Sequence, residues 1–260
     1  MHSRLRWRRI VLCMMGLPHS VRACLFDLDG VLTRTATIHA AAWKEMFDGF
    51  LRERAGRTGE RFVPFDPVAD YDRYVDGKSR RDGVRSFLAA RGIRLAEGEP
   101  GEPPGTETVR GLADRKNEIV LRMIQERGVE AYEGSVRYLR AAQEGDLRRA
   151  VVSSSANARD VLVAARIEGY FEARIDGAVA EREGLKGKPA PDTFLAGARA
   201  LGVAPEEAAV FEDALAGVEA GSAGGFAWVV GVDRVGQADV LREHGASVVV
   251  RDLSELLEHP

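Results

Sequence analysis

The first facts about this chain are absences. Two cysteines, Cys13 and Cys24, cannot build a disulfide framework in 260 residues, which suits a reducing compartment. Neither a net charge of -3 nor any long basic tract offers a field that would gather nucleic acid. No apolar run approaches the roughly 20 residues of a membrane-spanning helix, and no segment repeats at a fixed period. Disulfide-stapled, nucleic-acid-binding, membrane-spanning and solenoid classes are therefore set aside. A cytoplasmic protein is expected, with neither nucleic acid nor membrane as partner.

The amino terminus is the one segment that points elsewhere. Arg4, Arg6, Arg8 and Arg9 precede the apolar stretch Ile10 to Leu17, an arrangement that imitates a short signal peptide. Cleavage after Ala23 would leave the strand that follows at a raw terminus with little to pair it, so export is not expected. Residues 1–20 are read instead as an N-terminal extension, with Met14 and Met15 as alternative starts.

What is present begins with 45% hydrophobic and 30% charged residues, enough apolar matter for a full core. The run Ala23 to Phe26 has the pattern of a parallel strand buried on both faces. It ends in Asp27-Leu28-Asp29-Gly30, at the carboxyl edge where open α/β sheets bind ligands. Alternation along an extended chain turns Asp27 and Asp29 to one side and Leu28 to the other. Two carboxylates so close repel, and a divalent cation is the usual remedy. The plainer reading is a pair of turn caps. Gly30 permits the tight backbone exit that follows.

Beyond Asp29 the period changes. Residues 37–54 carry Ile38, Ala41, Ala42, Met46, Phe50 and Leu51 at helical spacing. Further helices are predicted over 67–75, 82–91 and 107–126, with a polar loop over 96–105. From Ser135, read as a helix cap, strands and helices alternate. Strands are predicted over 149–153, 173–176, 208–211, 227–230 and 247–250, and helices over 157–166, 191–201 and 215–220. That alternation specifies an α/β fold, a Rossmann-like parallel sheet with helices on both faces. The division that follows is a core of 21–36 and 128–260, interrupted by a helical cap of 37–127.

Three more strand ends bring polar groups to the same edge. Ser153 closes a strand and is followed by Ser154, Ser155, Ala156 and Asn157. A serine there can hydrogen-bond a phosphoryl oxygen beside a helix N-terminus, or simply cap that helix. Lys188 lies in Lys186-Gly187-Lys188-Pro189-Ala190-Pro191, where two prolines limit φ and aim the side chain; otherwise it is a solvated loop lysine. Glu212 and Asp213 repeat the design of the first strand, and could complete an oxygen cage for Mg²⁺ or cap the next helix.

In this order, Asp27-Leu28-Asp29-Gly30-Val31-Leu32-Thr33, Ser153, Lys188-Pro189 and Glu212-Asp213 resemble the four motifs of the haloacid dehalogenase (HAD) superfamily. The likeness runs from Val21 onward and extends into the insertion. Thr35, the run His39 to Lys44, Gly77-Lys78-Ser79-Arg80, Arg115-Lys116-Asn117 and the run Ser153 to Asn157 are similar to stretches of its β-phosphoglucomutase-like subfamily, which has a helical cap. On residue pattern alone, His39 and Trp43 would be core-facing helix residues and Arg80 a surface turn residue. Lys116 would be one member of an ion-paired helix face.

The resemblance implies phosphoryl transfer through an aspartyl-phosphate. Asp27 would be the nucleophile and a Mg²⁺ ligand, and Asp29 the general acid/base, its carbonyl a second ligand. Glu212 and Asp213 would complete the metal site, while Ser153 and Lys188 hold the transferring phosphoryl. Arg80, Ser155 and Asn157 would grip the second phosphate, and His39 and Lys116 would link a closed cap to Asp29. Thr35, Trp43, Gly77, Lys78, Ser79, Asn117 and Ser154 join the substrate-binding set by the same likeness. Arg34, Asp76 and Ala156 depart from the subfamily pattern, the last two in a direction that weakens the hold on a bisphosphate. The expected activity is a Mg²⁺-dependent phosphomutase, an isomerase interconverting β-glucose 1-phosphate and glucose 6-phosphate. β-Glucose 1,6-bisphosphate would be its activator and intermediate. A sugar-phosphate phosphatase is the alternative. A non-catalytic phosphate-binding module is a third, against which the intact Asp27 and Asp29 argue.

Overall fold

The computed structural model describes residues 12–257. The arginine-rich stretch read as a signal-peptide mimic lies outside them. In chain order, strand β1 (Ala23–Phe26) is followed by three long helices, α1 (Ala36–Thr58), α2 (Arg80–Ala90) and α3 (Val109–Arg127). Helix α4 (Glu133–Glu144) then leads into β2 (Arg148–Val152), α5 (Ala158–Ala164), β3 (Ala173–Ile175), α6 (Gly177–Glu183) and α7 (Asp192–Leu201). The remainder is β4 (Ala208–Glu212), α8 (Leu215–Ala223), β5 (Trp228–Val232), α9 (Ala238–Glu243) and β6 (Val248–Val250).

Residues Thr35–Val129 form one compact unit, and the described residues on either side of them form the other. The second unit is built on a single six-stranded parallel sheet of order β3-β2-β1-β4-β5-β6. The chain steps from β1 outward to β2 and β3, then returns to the opposite side for β4. The order therefore reverses between β1 and β4, which is where an open α/β sheet leaves a crevice at its carboxyl edge. Every residue of β1 and β4 is buried, as strands covered on both faces must be, and so they read as continuous apolar runs. Phe26 stacks on Phe211 at 4.5 Å between ring centres and meets Tyr138 of α4 edge-on at 6.3 Å. The Tyr138 hydroxyl donates to the carbonyl of Met15, and Leu12, Met15 and Leu17 are buried.

The chain's outgoing and returning passages are joined within this unit. Thr33 pairs antiparallel with Ala131, and the N–H groups of Arg34 and Tyr132 donate to Glu130 and Leu32 at 2.9 Å. Arg34, one of the departures from the subfamily pattern, lies over the Tyr132 ring at 4.5 Å and pairs with Glu130 at 3.5 Å.

The unit of Thr35–Val129 is helical and has its own core. Trp43 and Phe47 of α1 stack at 5.2 Å, and Phe47 meets Phe65 and Phe87 at 5.4 and 4.1 Å. Ser79 caps α2 by accepting the N–H of Asp82, and Thr108 caps α3 by accepting that of Gly111. No helix among the described residues is long and apolar enough to cross a membrane.

Several sequence expectations need correction. Ser135 does not cap α4: the helix already starts at Glu133, and the Ser135 hydroxyl donates instead to the Val31 carbonyl at 2.7 Å. Asp176, expected as the end of β3, is the N-cap of α6 and accepts from Val179. The helix expected over 67–75 is a single wide turn at Tyr71–Val75. Helices α6 and α9 were not anticipated, since α6 buries no residue and α9 only Leu241. Without an apolar stripe there is no helical period to read.

Candidate active site

Strands β1 and β4 flank the reversal point, and both end in acids. The N–H of Asp27 donates to the Phe211 carbonyl at 2.9 Å, which carries the ladder one residue past β1 and sets Asp27 beside β4. Glu212 is the last residue of β4, and Asp213 follows it. One carboxylate oxygen from each of Asp27, Glu212 and Asp213 lies within 4.8 Å of the others, and all three residues are buried.

Lys188 enters the same place from the connection between α6 and α7. Its ammonium donates to Asp27 Oδ1 at 2.5 Å, to the Val152 carbonyl at 3.3 Å and to Glu212 Oε1. One cation thus ties together the ends of β1, β2 and β4. Burial by itself would push the lysine pKa down. Asp27 and Glu212 outweigh it and hold the group above its ordinary value, so Lys188 is charged. Burial pushes the Asp27 carboxyl up, Lys188 opposes the rise, and Glu212 and Asp29 add to it.

Three buried carboxylates share this space with one ammonium, and charge is expensive to bury where water is scarce. The donor set is all hard oxygen and is spaced for one small cation, so it fits Mg²⁺. Glu212 is oriented from both ends: Oε1 meets Lys188, and Oε2 accepts the N–H of Ala214 at 2.9 Å. Gly217 of α8 stands so close that a Cβ there would lie 1.9 Å from the Glu212 carboxyl carbon. Gly217→Ala must therefore swing the carboxylate out of place. The expected result is a Mg²⁺ affinity lowered by about 10-fold or more, read by titration calorimetry, with the fold retained by circular dichroism.

Asp29 is half-buried and stands outside the carboxylate trio, yet close enough for its charge to act on Asp27. Its neighbour Gly30 has φ +89°, and a Cβ on it would fall 1.8 Å from Asp213 Oδ2. Only glycine fits a left-handed residue pressed against that carboxylate. The loop closes on itself: Gly30 N–H donates to Thr33 at 2.8 Å, and the Thr33 hydroxyl to Leu28 at 3.1 Å. At the end of β2, Ser153 is buried and its Oγ accepts the N–H of Ser155 at 3.1 Å. The Ser155 Oγ in turn accepts the N–H of Asn157 at 3.2 Å. A hydroxyl that accepts keeps its proton to donate. Ser154 and Asn157 lie half-buried in the same turn.

The helical unit brings together two pairs distant in sequence. Lys116, 6% exposed, places its ammonium 2.8 Å from His39 Nδ1 and 4.8 Å from the centre of the Trp43 ring. An ammonium only donates, so Nδ1 is the acceptor and the ring proton sits on Nε2. Arg80 donates to Asn117 Oδ1 at 3.2 Å and faces Asp114 at 3.5 Å. Thr35 is buried at the position preceding α1, where its carbonyl accepts the His39 N–H. Gly77 takes φ +68° in the turn before α2.

With this geometry in view, the comparisons with known proteins are specific. Residues 21–225 match the haloacid dehalogenase-like hydrolase family. The chain belongs to that family. Within it, the β-phosphoglucomutase of Mycobacterium tuberculosis is 57% identical over 94% of each chain. That of Bacillus subtilis is 34% identical over 91% of this chain and 92% of its own. The crystal structure of a β-phosphoglucomutase from Clostridium difficile matches at a TM-score of 0.71 and 27% identity, covering 91% of this chain and 93% of that one. This HAD-family enzyme is accordingly a phosphomutase-type isomerase.

The HAD core gathers Asp27, Lys188, Glu212 and Asp213 at one point, and the helical unit gathers His39 with Lys116 and Arg80 with Asn117. Three other expected binding residues have protein partners. Trp43 is 3% exposed in the aromatic core, where it stacks on Phe47 and receives the Lys116 ammonium on its face. The Ser79 hydroxyl is engaged as the α2 cap and donates to Asp82. The Lys78 ammonium is bonded to Ser86 at 3.0 Å. Two contributors escaped the sequence reading. Gly217 lies inside a helix with no motif around it, and the end of β5 carries Asp233-Arg234; Lys188, expected at a strand end, lies in the loop between α6 and α7.

Proposed function

We propose that this chain is a cytoplasmic, monomeric β-phosphoglucomutase, interconverting β-glucose 1-phosphate and glucose 6-phosphate through β-glucose 1,6-bisphosphate. The observation that carries the chemistry is Lys188 bridging Asp27 and Glu212 beside Asp213. The choice of sugar rests on the 57% identity to the mycobacterial enzyme. Asp27, Glu212, Asp213 and the Asp29 carbonyl would hold Mg²⁺, which when bound offsets the charge on the phosphoryl oxygens.

Phosphorylated Asp27 passes its phosphoryl to the 6-hydroxyl of β-glucose 1-phosphate while Asp29 takes the hydroxyl proton. The bond from Asp27 Oδ to phosphorus breaks, the bond from O6 forms, and the bisphosphate results. Attack by Asp27 on the phosphorus at O1 then restores the phosphorylated aspartate, as Asp29 returns the proton to O1. Lys188 and the Ser153 hydroxyl serve the equatorial oxygens in both directions, which is mostly positioning and charge stabilisation. Arg80 with Asn117, and Ser155 with Asn157, are assigned to the phosphate that is not in transfer. His39 and Lys116 are assigned together to the helical unit's share of the catalytic machinery. Ala156 and Asp76 predict a looser hold on the bisphosphate than a basic residue at either place would give.

The test is incubation with Mg²⁺, β-glucose 1-phosphate and a trace of the bisphosphate, following glucose 6-phosphate and free phosphate together. Glucose 6-phosphate that depends on the bisphosphate primer, with little phosphate released, is the expected result. Stoichiometric phosphate release would instead make the enzyme a phosphatase.

A further inference from the structure

The loop at the carboxyl end of β5, Asp233 to Gln237, touches both halves of the carboxylate site without contributing a carboxylate to it. Arg234 Nε donates to the Gly30 carbonyl at 2.7 Å, across 204 residues of chain. Its other two nitrogens reach the carbonyls of Arg251 at 2.6 Å and Val31 at 3.4 Å. The guanidinium lies flat over the Tyr132 ring, 3.6 Å from its centre, and is largely buried. Three residues on, Gln237 Nε2 donates to the main-chain carbonyl of Asp213 at 3.2 Å.

The loop itself is stiff. Asp233 Oδ1 accepts the N–H groups of Val235, Gly236 and Gln237 at 3.2, 2.7 and 2.8 Å. Gly30, one of the two points it grips, packs against the side chain of Asp213, since a Cβ on Gly30 would strike the Asp213 carboxylate. A planar fork with its donors spent on carbonyls and its face on an aromatic ring cannot be copied by a lysine.

We propose that Arg234 and Gln237 are positioning residues for the cation site: they clamp the backbone after Asp29 to the backbone of Asp213 and so set the spacing of the oxygens that hold the metal. The proposal deepens the reading of this site as a Mg²⁺ centre and rests on it. Outer-shell partners of this kind act on metal affinity and on the rate of the chemical step, with little effect on the docking of a substrate. In free enzyme the clamp therefore registers in cation binding before any sugar is present.

The experiment measures Mn²⁺ binding by electron paramagnetic resonance on the purified chain, its Arg234→Met and Arg234→Lys variants, and Gln237→Leu. Thermal unfolding in EDTA and steady-state kinetics run alongside. Arg234→Met is expected to weaken Mn²⁺ binding by about 10-fold or more, and to lower kcat while KM for the sugar phosphate stays within about twofold. Arg234→Lys should rescue little of this, and Gln237→Leu should show the same pattern at smaller size in a protein of near-native Tm. If the variants lose Tm but keep wild-type Mn²⁺ affinity and kcat, the loop is merely structural and the proposal is overturned. If Arg234→Met does not fold, Gln237→Leu decides by the same two readouts. Wild-type protein that binds Mn²⁺ but converts no sugar phosphate would overturn the proposed reaction alone, because the ratio of affinities still judges the clamp.

Discussion

Asp27→Asn is expected to abolish turnover, by at least about four orders of magnitude, the scale on which a lost covalent nucleophile is felt. The same substitution should leave the metal-free protein at least as stable as the parent. Burial drives the Asp27 carboxyl toward its protonated form, with Glu212 and Asp29 adding to the drive against Lys188. A folded-state pKa above the unfolded one means that the ionised group weakens the fold at neutral pH. An asparagine of the same shape removes that charge and leaves Lys188 its bond to Glu212. Activity and Tm in EDTA should therefore move in different directions, while the Tm gained on adding Mg²⁺ shrinks. Retained glucose 6-phosphate formation, or phosphate transfer to another residue, would sink the assignment of Asp27 as nucleophile.

Legibility of the fold tracked burial. Ala23–Phe26 and residues 208–211 were readable as strands because both faces are covered and their runs are apolar. Helix α3 was readable because Val109, Leu112, Ile119, Val120 and Met123 form one buried stripe. Helix α6 has no fully buried residue, only Val179 of its larger apolar side chains packs on the core, and its starting signal, Asp176, was absorbed into the preceding strand. Ser135 illustrates a different limit. Its position suits a cap, but the hydroxyl is drawn to Val31 by a contact spanning 104 residues, which no local pattern contains.

The candidate site was legible as separate strand ends, and the geometry adds how they are coupled. Two prolines suggested that Lys188 would be aimed, but not that its ammonium would meet the ends of three strands. Asp27 and Asp29 looked equivalent from alternation. In the structure the carboxylate trio takes in Asp27 and not Asp29, which is followed by the left-handed Gly30. In the helical unit, Trp43 lies in the aromatic core beside Lys116. It holds the residue that carries the charge, through the face of its ring. Arg234 stayed hidden. It sits in no motif, and the partners that tie it to the first strand's loop, Gly30 and Val31, are backbone carbonyls that carry no side-chain signature.

Lys188→Met gives the second large effect, and it separates the structural from the catalytic use of one cation. In the folded protein Lys188 is the ammonium in contact with both Asp27 and Glu212, and burial leaves no water to take its place. Methionine fills the same volume and removes the charge, so the carboxylates face one another uncompensated. Breaking a buried pair in this way costs about 3–5 kcal/mol, which for a chain of this length is a fall in Tm of roughly 10 °C in EDTA. Millimolar Mg²⁺ should return a substantial part of that loss, because a divalent cation answers the same excess of negative charge. It should not return activity, since the phosphoryl oxygens still lack their lysine, and a missing charge donor of this kind is felt as about 100-fold or more in kcat. Thermal unfolding with and without Mg²⁺, set beside the primed mutase assay, reads both effects on one preparation. A variant with unchanged Tm in EDTA would mean that Lys188 does not neutralise the site. One fully active in Mg²⁺ would mean that the metal alone carries the transferring phosphoryl.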